Sequence, residues 1–190
     1  MQLETKRLII QSLTESDAEA VLSVYRQAID FLELQTSEPP SLAMAQSDIE
    51  ASQQRGSEFV GLFKRDSREL IGLADFVPKN FRGQQDYAWL NVLLIRQSDR
   101  RQGYGRVAYR AIEAFIFGDP SVTRIGTALL PQYEASLKFA ERMGFERAGG
   151  PFKNKRGYGL YSFVKKRPGL PETPGEKIWE EWKSRLDSLE

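Results

Sequence analysis

Arg100-Arg101-Gln102-Gly103-Tyr104-Gly105-Arg106 is the stretch that decides the fold. Before it runs the apolar segment Trp89-Leu90-Asn91-Val92-Leu93-Leu94-Ile95, and after it Val107, Tyr109, Ile112, Phe115 and Ile116 recur at helical spacing. A strand ends, two glycines let the backbone turn tightly, and a helix begins. The first-turn amides of that helix lack intrahelical partners and carry the positive end of its dipole. Such a terminus attracts anions, above all phosphates. Arginines there are locally unfavourable by about 0.3–1 kcal/mol per exposed charge, which makes sense when a multiply charged anion sits among them.

The rest of the chain narrows the chemistry. At 190 residues, with 41% hydrophobic and 28% charged residues, it is long enough and apolar enough for one self-sufficient domain. A net charge of +1 gives the whole molecule no reason to hold a polyanion, so no nucleic-acid partner is expected. Cysteine and histidine are both absent. That excludes disulfides, thiolate nucleophiles and the Ser-His-Asp and Cys-His mechanisms, and removes the commonest zinc ligand. No metal is expected. The N-terminus has no apolar signal region and no stretch approaches a membrane span. A cytoplasmic protein without a membrane partner is the expectation.

Working outward from the turn, residues 3–12 read as a first strand. Thr14, with Asp17 three positions on, starts a helix over residues 15–31. Ser41 caps a second helix that ends near Gly56. Residues 59–64 and 70–77 form a hairpin, and residues 78–86 a loop. After the helix at 107–117 come a strand at 122–130 and a helix at 133–143 stopped by Gly144. A final strand pair, 145–148 and 158–165, encloses a basic loop. Residues 167–175 form a Pro/Gly-rich linker. Beyond it, Ile178, Trp179, Trp182, Leu186 and Leu189 share one face of an amphipathic helix, for docking on this domain or a partner subunit. The order of elements predicts a mixed α/β sheet, not a doubly wound parallel one.

Two nucleotide-binding patterns fail at the turn. A P-loop lysine and hydroxyl are missing, and so is the third glycine of a Rossmann fingerprint. Arg100-x-x-Gly103-x-Gly105 instead resembles the acetyl-CoA signature of the GNAT superfamily of N-acetyltransferases, Gln/Arg-x-x-Gly-x-Gly/Ala. Its context is similar too: a strand ending Leu93-Leu94-Ile95, a helix after the turn, and Met143-Gly144-Phe145 closing a short helix about forty residues on. The opening Leu3-Glu4-Thr5-Lys6-Arg7-Leu8-Ile9-Ile10 resembles the subgroup that includes ribosomal-protein N-terminal acetyltransferases. The resemblance spans residues 2–165.

The resemblance implies a mostly antiparallel sheet of six to seven strands, flanked by helices and splayed into a V at its centre. It implies a domain over residues 1–166, with 167–190 as appendage. Amides from Gln102, Gly103, Tyr104, Gly105 and Arg106, with charge from Arg100, Arg101 and Arg106, would hold the CoA pyrophosphate. Backbone groups of Leu93, Leu94 and Ile95 would pair with pantetheine and polarise the thioester, with Leu129 and Leu130 as the opposite wall. The reaction implied is direct attack of a primary amine on acetyl-CoA in a ternary complex, without metal. The amine is a small molecule or a protein N-terminus, and the protein a monomer or homodimer. The family's usual tyrosine falls at Ala140, and its asparagine at Tyr133, which leaves Tyr133 as candidate acid and Asp75 and Asp86 as candidate bases. A non-catalytic acyl-CoA-binding or sensor module of the same fold is the alternative.

Overall fold

The apolar alternation of the strand segments resolves into one eight-stranded sheet of order β1-β2-β3-β4-β5-β6-β8-β7. In the computed structural model, which describes residues 1–33, 36–154 and 157–169, the strands are β1 (Gln2–Glu4), β2 (Leu8–Ser12), β3 (Glu58–Lys64), β4 (Leu70–Val77), β5 (Tyr87–Ile95), β6 (Arg124–Leu129), β7 (Glu146–Lys153) and β8 (Gly159–Lys166). The helices are α1 (Ala18–Arg26), α2 (Ile29–Leu32), α3 (Leu42–Gln54), α4 (Tyr104–Ile116) and α5 (Glu134–Met143). Among these strands only the β5–β6 pair is parallel, with α4 as its crossover. The mixed, mostly antiparallel α/β class therefore holds. The predicted tail helix at residues 176–189 lies outside the described residues. Among those described, no helix is long and apolar enough to cross a membrane.

Two expected elements are divided. The first strand is a hairpin, since the Leu8 amide donates to the Thr5 hydroxyl (2.8 Å) and β1 folds back on β2. This raises the strand count to eight. The helix expected over 15–31 is a 3-10 turn at Glu15–Asp17, then α1, then α2. Apolar residues continue at helical spacing across the break, but Ala28 leaves helical dihedrals (φ −134°, ψ 32°). The Gln27 carbonyl there accepts from the Gln97 amide (2.9 Å), tying the end of α1 to the segment before α4.

The sheet buries both faces. Under α4 lie Leu8, Ile10, Leu62, Ile71 and Phe76, packed on Tyr109, Ile112 and Ile116. Under α1 and α3 lie Phe59, Leu73 and Leu94, packed on Val21, Leu22, Ala45 and Ile49. β5 changes sides midway. Phe76 pairs with Leu90 but Asp75 with Val92, so Asn91 is an extra residue, a β-bulge. Before it Ala88 and Leu90 face the α4 side; after it Leu93 and Ile95 do. Val92 and Leu94 are thereby sent to the α1–α3 side. A one-residue insertion inverts every later side chain of a strand.

The bulge coincides with the splay. β5 and β6 pair over only four positions, Tyr87 to Leu90 against Arg124 to Thr127. The Thr127 hydroxyl donates to the Leu90 carbonyl (2.9 Å), the last link before the strands diverge. Below that vertex Gly126 lets β6 close on β5, because a β-carbon there would collide with the Tyr87 and Trp89 side chains.

Candidate active site

The turn between β5 and α4 is braced from beneath. Residues Gln97–Asp99 form a 3-10 turn, and the buried Asp99 carboxylate accepts from Lys64 (2.7 Å), Arg96 and Ser98 (2.9 Å). Burial works to raise the Asp99 pKa, but these three donors outweigh it and hold it at about 2. Arg101 and Gly103 both take left-handed backbone (φ 61° and 84°) to turn the chain into α4. Gly103 is the N-cap and no side chain caps the helix among the described residues. The first-turn amides of Tyr104, Gly105 and Arg106 therefore point out unsatisfied, as an anion site requires.

Arg100 departs from the expectation that it adds charge at this terminus. Its guanidinium grips Asp30 of α2 with two bonds (2.5 and 2.9 Å) and its Nε donates to the Ile95 carbonyl (2.8 Å). The paired guanidinium holds the Asp30 carboxyl below its ordinary range. Arg7, quoted in the opening stretch but given no site role there, stands at the turn instead. It donates to the Gln102 carbonyl (2.8 Å) and stacks over the Tyr104 ring at 4.2 Å. Nothing local marks it, because it lies 95 residues before Gln102 in the chain.

Alternation along β5 decides which backbone groups face the splay. The Arg96 amide donates to the Ile71 carbonyl of β4, whereas the Ile95 carbonyl points away, to Arg100. Leu94 and Val92 share the orientation of Arg96, and Leu93 that of Ile95. Of the three expected positions, Leu93 and Ile95 thus present amides at the open edge, while Leu94 pairs with β4 and sends its side chain to the α1–α3 core.

Two clefts meet at this edge. One runs between the diverging strands, lined by Leu93, Leu129, Leu130, Phe139, Ala140 and Tyr133, among others. The alanine at the tyrosine position does face this space. Tyr133 caps the start of α5; its hydroxyl donates to Asp30 (3.2 Å) and accepts from Arg100 (3.2 Å). Burial, only partly offset by Arg100, raises its pKa. Ser136 lines the same cleft, a hydroxyl the sequence reading did not single out.

The second cleft, of about 200 Å3, opens on the α1–α3 face between Tyr25, Asp48, Arg55, Asp75 and Asn91, over a floor that includes Phe59, Leu73 and Leu94. Phe31, Asn91 and Val92 belong to both clefts. Asp75 does not face solvent. Only 5% exposed, it accepts from Ser52 (2.8 Å), Asn91 (2.9 Å) and Arg55 (3.3 Å). Burial raises its pKa despite those donors. Asp86 is elsewhere. It precedes β5 by one residue, about 16 Å along the strand from Asn91, and binds Thr123 (2.5 Å) and Arg124 (3.3 Å). As a base for chemistry at the clefts it is out of reach; it fixes the entry of β5.

Comparison with known proteins agrees with this geometry. The family model described as acetyltransferase (GNAT) domain matches residues 7–146. A Bacillus subtilis (strain 168) protein named uncharacterized N-acetyltransferase YoaA is 27% identical over 178 residues, 87% of this chain and 97% of that one. An acetyltransferase from Thermus thermophilus superimposes with a TM-score of 0.70 at 23% identity, over 88% of this chain and 100% of its own. A Salmonella typhimurium acetyl transferase, described as modifying the N-terminal serine of ribosomal protein L7/L12, gives 0.72 at 14% identity, over 86% and 96%.

Proposed function

Because the chain belongs to the GNAT acetyltransferase family, we propose that it moves an acetyl group from acetyl-CoA directly to a primary amine in a ternary complex. The observation that carries this reading is the meeting of two clefts from opposite sides at Phe31, Asn91 and Val92, beside the open edge of β5. A donor and an acceptor approaching from the two sides would touch there.

The residues present fit a CoA donor. The uncapped amides of Tyr104, Gly105 and Arg106, with Arg7, Arg101 and Arg106 around them, bind the pyrophosphate. Gln102 and Gly103 shape the turn, and Arg100 anchors it through Ile95 and Asp30. The amides of Leu93 and Ile95 face the pantetheine, and that of Leu93, nearer Asn91, polarises the thioester carbonyl as charge develops on its oxygen.

On the acceptor side Asp75 takes the first proton from the ammonium, so that the nitrogen lone pair attacks the thioester carbon. A pKa lifted towards neutrality makes a carboxylate a better base. The C–S bond then breaks, the nitrogen sheds its second proton to solvent, and the leaving thiolate takes one from Tyr133. The proton on Asp75 then passes through solvent to the Tyr133 phenolate, restoring both groups, and one proton is released overall. Tyr133 thus occupies the role vacated at Ala140, approaching from the start of α5.

Thiol release from acetyl-CoA over a panel of primary amines tests the reading. Amine-dependent release supports it. Tight CoA binding with no release on any amine would favour the non-catalytic binding module.

A further inference from the structure

We infer that the acceptor is an apolar primary amine with no carboxylate beside its amino group, such as an alkyl- or arylalkylamine or the amine of an amidated residue. The inference rests on the assignment of the α1–α3 cleft to the acceptor. Among the described residues its walls carry two carboxylates, Asp48 and Asp75, and a single cation, Arg55. Arg55 reaches Asp75 with one nitrogen at 3.3 Å, so the charges of this lining sum to −1. Asp48 is turned into the cleft by the buried Tyr25, whose hydroxyl donates to it across 2.7 Å. Burial, with Asp48 beside it, keeps the Tyr25 phenol protonated as that donor. Asp48 and Ser52 lie one helical turn apart on α3, and Ser52 in turn holds Asp75, so the two acids share one wall.

An amine poised at Asn91 and Val92 presents its nitrogen to Asp75. A carboxylate on the same carbon would add a negative charge beside Asp75 and Asp48, whose two charges Arg55 alone offsets among the described lining. An uncharged substituent meets no such penalty. The remaining lining, Phe31, Leu32, Phe59, Leu73 and Leu94, is hydrocarbon and rewards an apolar body. A cleft of about 200 Å3 suits a residue-sized group.

Calorimetric titration of the full chain saturated with CoA measures this without requiring turnover. The probes are 2-phenylethylamine, phenylalaninamide, phenylalanine and ethanolamine. The first two should bind at least tenfold more tightly than phenylalanine, and 2-phenylethylamine at least tenfold more tightly than ethanolamine. Asp48→Asn should narrow the gap between phenylalaninamide and phenylalanine severalfold. Phenylalanine binding as well as its amide, or none of the four binding, overturns the inference. The predicted order without thiol release would uphold this acceptor class and defeat acetyl transfer instead.

Discussion

The Asn91 side chain donates to Asp75 Oδ2 across 2.9 Å, at the one place where β5 carries a residue more than β4. The residue at the bulge thus sets its amide on the buried carboxylate beside the opening. In a regular strand residue 91 would still lie opposite Asp75; it is the residues after it that would exchange faces.

Asp75→Asn should lower kcat about 10²–10⁴-fold while leaving CoA affinity unchanged. The base must be ionised, so activity in the wild type is lost as pH falls through the Asp75 pKa, which burial places above its ordinary value. That acid limb should vanish in Asp75→Asn. A pH profile of kcat/KM reads both effects, and a limb that persists in the variant would remove Asp75 from the role.

Tyr133→Phe should lower kcat on the order of 10²-fold with KM for acetyl-CoA little changed. The aromatic contact with Phe31, at 5.7 Å between ring centres, survives the change. An acetyl thioester with a more acidic thiol leaving group should recover most of the loss. Equal loss with both thioesters would make Tyr133 only a support for α2 and α5.

Arg7→Ala should raise the Kd for CoA about tenfold, through loss of a charged partner to phosphate. The ratio between variant and wild type should shrink from low to high salt, because Arg7 is exposed and screened. Titrations at two ionic strengths check it, and a salt-independent ratio would point to the lost ring contact with Tyr104 instead.

Asp99 links stability to pH. Its pKa is about 2 when folded against an ordinary 3.8. Its contribution, about 2 kcal/mol at most, is complete above roughly pH 4 and fades as pH falls towards 2. Urea unfolding of wild type and Asp99→Asn should therefore show a wider gap at pH 7 than at pH 3. A gap independent of pH would contradict the assignment.

The strand, turn and helix around Gly103 were legible in the sequence because their signals are local: an apolar run, two glycines, helical spacing. The mixed sheet followed from the order of elements. The bulge at Asn91 was not legible, since it exists only as a mismatch between two paired strands. Nor was the break at Gln27 and Ala28, because Ile29 continues the apolar spacing of α1 while a backbone bond from Gln97 decides the geometry. Asp75 was named as a candidate from its strand, but its burial depends on Ser52 and Arg55 at the end of α3. Arg100 stood in the turn motif and Arg7 only in the opening stretch, with no site role, yet Asp30, distant in sequence, draws Arg100 off the helix terminus.

Initial velocities of thiol release, with acetyl-CoA and an accepted amine varied against each other, test the central claim most directly. Direct attack across the two clefts predicts double-reciprocal lines that intersect, with no thiol released before amine is added. Parallel lines, with a burst of thiol from acetyl-CoA alone, would mean a covalent acetyl-enzyme and would contradict the account.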